Sequence, residues 1–185
     1  MTQKRSGDKK TQNRWYKVGE EYARRATVVA PDGIDGLYWL LAAKGLRSVQ
    51  TNPLDASRLG TEVYDLANGL LAMDSLHAGA YHSLGVLNYE VMKLTWVERL
   101  IATRLLGNRP FRLTSWENAE TYLRRATELE PEFIRYQLDL GKMYLKRKQM
   151  ELARRAFRTV LELPAVHAPD VVFQEVAAEL LQEAR

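Results

Sequence analysis

Leu140-Gly141-Lys142-Met143-Tyr144, followed by Ala153 and then Phe157, is the stretch that decides the fold. A leucine-glycine pair, an aromatic three residues after the glycine, and an alanine four residues before a phenylalanine are the intervals of a 34-residue repeat in which two antiparallel helices form a hairpin. The alternation of small and large has a packing cause. Gly141 and Ala153 let the helices approach, and Leu140, Tyr144 and Phe157 fill the space around that contact.

Working outward, Ala119, Leu123, Ala126 and Pro131 take the second-helix positions of a preceding repeat, and Ala119 to Ala153 and Leu123 to Phe157 are each 34 residues. Leu84-Gly85 follows Ser75 by ten residues, as Gly141 follows Pro131. Gly19, Ala23, Ala26 and Pro31 repeat the pattern at the amino end, where Tyr22-x-Arg24-Arg25-Ala26-Thr27 nearly duplicates Tyr122-x-Arg124-Arg125-Ala126-Thr127. The spacing resembles the tetratricopeptide pattern and predicts an all-α solenoid of about eight helices.

The closing positions Pro31, Ser75 and Pro131 are 44 and 56 apart, which implies two insertions. One lies around Val49 to Ala56, where Asn52 is a cap and Pro53 enters a first turn. The other covers about Met92 to Thr114. Leu94, Val97, Ile101 and Leu105 recur there at three- and four-residue steps, which predicts one elongated helix near 77–106, ended by Gly107-Asn108-Arg109-Pro110. Thr114-x-x-Glu117 reads as a capping box for the next helix. The expected helices are 12–30, 35–50, 53–73, 77–106, 115–129, 133–147, 149–162 and 170–184. Asn68-Gly69 falls inside the third at a cost of about 1 kcal/mol for the glycine, and Val63, Ala67 and Leu70 hold that helix in register. The last helix, with Val172, Val176, Ala177 and Leu180 on one side and glutamates on another, is read as a capping helix.

Composition narrows the function. The 185 residues are 46% hydrophobic and contain no cysteine, which allows a real core and excludes disulfides and thiolate metal sites. The longest uncharged run, Ser75 to Tyr89, is too short and polar to span a bilayer. The net charge of +4 resides in residues 1–14, where Lys4, Arg5, Lys9, Lys10 and Arg14 face Asp8; removing these five bases and one acid from the totals of 27 and 23 leaves 22 of each. Residues 1–11 are accordingly expected to be a disordered basic tail and 12–185 a single repeat domain. No apolar run follows Met1, so the chain as it stands is expected to be soluble and cytoplasmic, or exported had a signal peptide been removed.

No catalytic constellation emerges. His77 and His82 are five apart, about 140° around a helix, which spoils a shared metal site, and no phosphate loop or nucleophile motif occurs. Asp32-Gly33-Ile34-Asp35-Gly36 lacks the alternation of a calcium loop and reads as a turn. The expectation is a non-enzymatic protein without cofactor. In a helical-hairpin solenoid the first helices line a concave groove. Register from Gly141 points Arg135, Leu138, Lys142, Leu145 and Lys146 into it; register from Gly85 adds His82, Val86, Tyr89 and Glu90; Trp39 and Arg47 are the equivalents in the helix from 35 to 50. That lining suits a protein or peptide partner with some negative charge, with a lipid or apolar ligand as the alternative. The basic stretches 142–158 and 99–112 read first as a solvated face with cations at helix ends, with a local anionic contact as the functional alternative, and the neutral body disfavours nucleic acid.

The run Leu84-Gly85-Val86-Leu87-Asn88-Tyr89-Glu90-Val91-Met92-Lys93-Leu94-Thr95-Trp96 and on to Gly107, with Ala119 to Pro164, resembles the regulator of microtubule dynamics family and the bacterial tetratricopeptide proteins similar to it. The resemblance implies an all-helical, non-enzymatic module, associated in eukaryotic members with microtubules and with lipid binding at organelle contacts. It implies no catalytic residue.

Overall fold

The structure, a computed structural model, describes residues 9–95, 97–100 and 109–184. Among the described residues it is all-helical, without a strand. The elements with both ends described are α1 (Lys9–Val29), α2 (Ile34–Ser48), α3 (Pro53–Met73), α4 (Ala78–Lys93), a 3-10 turn (Arg109–Leu113), α5 (Trp116–Leu129), α6 (Ile134–Lys146), α7 (Met150–Glu162) and α8 (Asp170–Glu183). They fall into two compact units: Met1–Ser75 with Leu94–Leu113, and Leu76–Lys93 with Thr114–Arg185.

In the first unit α1 packs on α2 and α2 on α3. Pro31 and Gly33 punctuate the first turn, where the Gly33 amide donates to the Ala30 carbonyl at 3.0 Å. Asn52 caps α3 as expected by accepting the Asp55 amide at 3.0 Å, with Pro53 in the first turn. The helix runs unbroken through Asn68-Gly69, where the Asn68 side chain donates to the Tyr64 carbonyl at 2.7 Å. Leu41, Leu59, Val63, Ala67 and Leu70 are buried, so the register read for α3 holds. Helix α1 starts at Lys9, inside the stretch expected to be a tail; residues 1–8 lie outside the described residues.

The second unit is a succession of antiparallel pairs, α4 on α5, α5 on α6, α6 on α7 and α7 on α8. Its core joins Leu123, Ile134, Leu138, Met143, Phe157 and Val160, with Ala177 of α8 closing it. Both diagnostic glycines sit at close helix contacts. A Cβ on Gly141 would lie 2.5 Å from Phe157 Cε1, and one on Gly85 would lie 2.7 Å from Leu123 Cγ. The turn from α6 to α7 is a Schellman motif, in which the Gln149 amide donates to the Tyr144 carbonyl and the Lys148 amide to the Leu145 carbonyl, both at 3.0 Å. Lys148 takes the left-handed position at φ 60°.

Three expectations are corrected. The elongated helix near 77–106 is interrupted: α4 ends at Lys93, Leu94 and Thr95 are not helical, and helix resumes at 97. The cause is a capping box, Thr95-x-x-Glu98. The Thr95 amide and hydroxyl donate to the Glu98 carboxylate at 2.8 and 2.9 Å, and the Glu98 amide donates back to the Thr95 hydroxyl at 3.3 Å. These bonds, the backbone one first, hold the Glu98 carboxyl below its ordinary value. The expected end of that helix, 107–108, lies outside the described residues. Second, α5 is capped by Ser115 and not Thr114, because the Ser115 hydroxyl is the one that reaches the Asn118 amide, at 3.0 Å. Third, Val172 is exposed; the buried face of α8 turns about Ala177 and includes Phe173, Val176, Leu180 and Leu181.

Candidate functional site

Helix α6 places Arg135, Asp139 and Lys142 one turn apart on one face, the spacing at which helical side chains meet. Asp139 is buried, and its carboxylate gathers three donors: Arg135 Nε at 2.5 Å, Lys142 Nζ at 3.1 Å and, from α4, His82 Nε2 at 3.0 Å. Burial pushes this carboxyl up, but the His82 hydrogen bond and the charges of Arg135 and Lys142 outweigh burial and hold it far below the usual carboxylate range. Asp139 therefore stays ionised and fixes two cations whose side chains are about a third exposed.

Aromatic rings frame the cluster. His82 stacks on Tyr136 with centroids 4.6 Å apart, and the Arg135 guanidinium lies over the Phe173 ring at 5.2 Å. On α4, Tyr89 is half-buried beside Trp116 and carries Lys93 Nζ 4.7 Å above its ring. Burial, then the negative charges of Glu90 and Asp139, push the Tyr89 phenol up to about 12, so it remains a hydrogen-bond donor. Glu90 pairs with Lys93 at 2.9 Å. Val86 and Leu145 are half-buried against the core, while Lys146 is exposed at the end of α6. Leu138 is 1% exposed in the core, so it contributes packing and not a contact surface. Asp139, which organises the site, was missed from the sequence; Arg135-x-x-x-Asp139-x-x-Lys142 was its visible signal.

The other two expected contacts belong to the first unit. Arg47 is bound to the buried Glu20, which also receives Lys44 at 3.2 Å and Arg24 at 2.8 Å. Burial opposes the ionised form of Glu20, but hydrogen bonds from Arg47 and Lys44 prevail and lower its pKa. Lys44 in turn joins Glu62 of α3. Arg47 is thus held in a network linking α1 and α2. Trp39, by contrast, is 63% exposed and lines an apolar groove of about 530 Å³ between α1 and α2.

The basic stretch 142–158 is divided. Lys142, Arg147 and Arg154 pair with Asp139, Glu120 and Glu151, whereas Lys146, Lys148, Arg155 and Arg158 are exposed. Among the described residues, no three of His, Asp or Glu are grouped to hold a metal ion, and no helix is long and apolar enough to cross a membrane. His77 Nδ1 accepts the Ala80 amide at 3.2 Å at the start of α4.

A family model described as regulator of microtubule dynamics protein 1-3 matches residues 1–185. The chain is 34% identical over 105 residues to regulator of microtubule dynamics protein 1 of Rattus norvegicus, covering 56% of this chain and 33% of the rat protein. The Homo sapiens protein of that name is 32% identical over 105 residues, with 56% and 33% covered. The Caenorhabditis elegans protein is 24% identical over 165 residues, covering 89% of this chain and 72% of its own length. The match thus spans about a third of the mammalian relatives and most of the nematode one.

Proposed function

Because the chain belongs to the family of regulator of microtubule dynamics proteins 1 to 3, we propose that it is a non-enzymatic interaction module built of tetratricopeptide-type hairpins, and that the α4 and α6 face of its second unit receives an acidic protein segment. The family is named for regulation and not for a reaction, which fits a binding role. The close contacts at Gly85 and Gly141 support the repeat reading.

One observation carries the binding reading: the buried Asp139 carboxylate fixes Lys142 and Arg135, the latter over the Phe173 ring. Cations held in place before a partner arrives lose little side-chain entropy on binding. Two cations against one internal carboxylate leave a net positive charge, which Lys146 extends. An acidic side chain can pair with those cations while an apolar neighbour lies on that ring.

The relatives are named for microtubule dynamics, and an acidic segment suits this cationic face, so the acidic tails of polymerised tubulin are the candidate partner to test. Co-sedimentation with microtubules, before and after proteolytic removal of those tails, tests it. Binding should weaken steeply as salt rises, fall at least tenfold on tail removal, and fall similarly in a variant carrying Lys142→Gln with Lys146→Glu whose helicity is unchanged. Equal sedimentation of variant and parent would overturn this assignment of the surface.

A further inference from the structure

The hairpin α1–α2 and the hairpin α5–α6 are copies at a fixed offset of 100 residues, and the likeness goes deeper than the Tyr-x-Arg-Arg-Ala-Thr segment. Arg47 binds Glu20 as Arg147 binds Glu120, each pair joining the two helices of its hairpin. The Thr27 hydroxyl donates to the Arg24 carbonyl at 2.8 Å, and the Thr127 hydroxyl to the Arg124 carbonyl at the same distance. Each hairpin, within its own unit, can therefore be compared with the other position by position.

The comparison isolates one difference. In the second unit α4 lies on the hairpin: Ala78 and Tyr81 cover Ala126, the Tyr81 and Tyr122 rings are 6.3 Å apart, and Gly85 meets Leu123. Ala126 is 0% exposed there. In the first unit Ala23 is buried at the floor of the groove between α1 and α2, but among the described residues no helix covers the surface around it. Ala26 is exposed, Tyr22 is 66% exposed, and Trp39, at the place of Asp139, is 63% exposed. A bare apolar patch of this kind on a folded protein marks a site of association.

The residues also say what shape the cover has. Where the second hairpin has Ala119, Leu123 and Tyr136, the first has Gly19, Ala23 and Gly36. These three exchanges are to smaller side chains, whereas Trp39 for Asp139 is to a larger one at the margin, and a Cβ on Gly19 would meet nothing within 4 Å. In the second unit α4 supplies the small residue, Gly85, to a bulky hairpin. In the first the hairpin supplies the small residues and leaves a groove of about 530 Å³, so its occupant must supply the bulk. The groove's rim carries two guanidinium groups, Arg14 5.6 Å over Trp15 and Arg25 5.7 Å over Tyr22, against the carboxylate of Asp35.

We infer that the α1–α2 groove is a docking site for a single amphipathic α-helix of another protein, seated as α4 is seated on α5–α6, with large apolar side chains at three- and four-residue steps and acidic residues at its margins. This site is separate from the face formed by α4 and α6, and neither depends on the other.

The test uses the full chain and a fluorescein-labelled 18-residue peptide with leucines at i, i+3, i+4 and i+7 and glutamates at the flanks. Its control is a peptide of the same composition with that periodicity scrambled. Anisotropy should show saturable binding of the first at least tenfold tighter than of the second, with helix content rising on binding. Trp39→Ala, at an exposed position, should weaken binding at least tenfold without lowering the melting temperature. Gly19→Leu, which fills the groove from the protein side, should do the same. Lys146→Glu should leave this peptide's affinity unchanged, which separates the result from that of the microtubule assay. Equal affinity for both peptides, or full affinity in Trp39→Ala, overturns the inference. So does a self-associated chain that Trp39→Ala dissociates and the peptide does not, or Trp39-dependent binding to phosphatidylcholine vesicles without peptide binding.

Discussion

Gly85 lies so close to Leu123 that a Cβ added to the glycine would stand 2.7 Å from Cγ and 2.9 Å from the backbone nitrogen of that leucine. A side chain can rotate away, but a backbone atom moves only with its helix. Gly85→Ala should therefore push α4 off α5 and cost about 1–3 kcal/mol, read as a melting temperature lowered by several degrees. Gly69→Ala is the opposite case, because nothing stands within 4 Å of a Cβ there. In the interior of α3 it should stabilise by about 0.5–1 kcal/mol. Two melts that shift in the same direction would contradict the packing described here.

Lys148 pays for a left-handed backbone at φ 60° that glycine adopts freely. Its neighbours already form the hydrogen bonds of a glycine-type helix end. Lys148→Gly should raise stability by about 0.5–1 kcal/mol, the αL penalty less the extra entropy of glycine in the unfolded chain. Denaturant titration at constant m-value measures it.

The buried carboxylate of Asp139 ties stability to acid pH. Its folded pKa lies below its unfolded value of about 3.9, so its contribution is complete above that value and is lost as pH falls toward the folded pKa. Glu20 acts in the same direction in the first unit. Asp139→Asn removes the charge that balances Arg135 and Lys142; it should cost on the order of 1–3 kcal/mol near neutrality and flatten the acid limb of the stability curve below about pH 4. An unaltered acid limb in the variant would show that the cluster does not stabilise the fold.

Glu120 binds Arg147 at 2.5 Å and accepts the Tyr144 hydroxyl at 3.2 Å. Burial and then the Glu120 charge push the Tyr144 phenol up to about 12. Glu120→Gln should bring that titration back toward the ordinary tyrosine range near 10, followed as tyrosinate absorbance during an alkaline titration.

Much of the fold was legible because the residues that carry it are sterically irreplaceable. Glycine at 85 and 141 and a phenylalanine at 157 are readable as contacts wherever they recur at repeat spacing. The break after Lys93 was not legible from hydrophobic period alone. Leu94, Val97 and Leu100 keep a helical rhythm, yet all three are exposed, and a local capping box outweighed the periodicity that apolar burial would have rewarded. The site was half legible. Register placed His82, Arg135 and Lys142 on facing helices, but their meeting point is Asp139, an acid among bases that charge counting treats as cancellation. Register from the second unit puts Trp39 in a groove; its exposure goes with what surrounds it, Gly19, Ala23 and Gly36 standing where the second hairpin has Ala119, Leu123 and Tyr136.

The second unit draws α4 from before residues 94–113 and every other helix from after them. On a ribosome adding about 5–20 residues per second, those twenty residues delay α5 by about 1–4 s. Throughout that interval the newborn α4 carries Ala80, Leu84 and Leu87, all buried in the finished protein, without the helix α5 on which it packs there. The apolar face of α4 therefore waits for its cover in the middle of synthesis, well before the last helix of the unit is made.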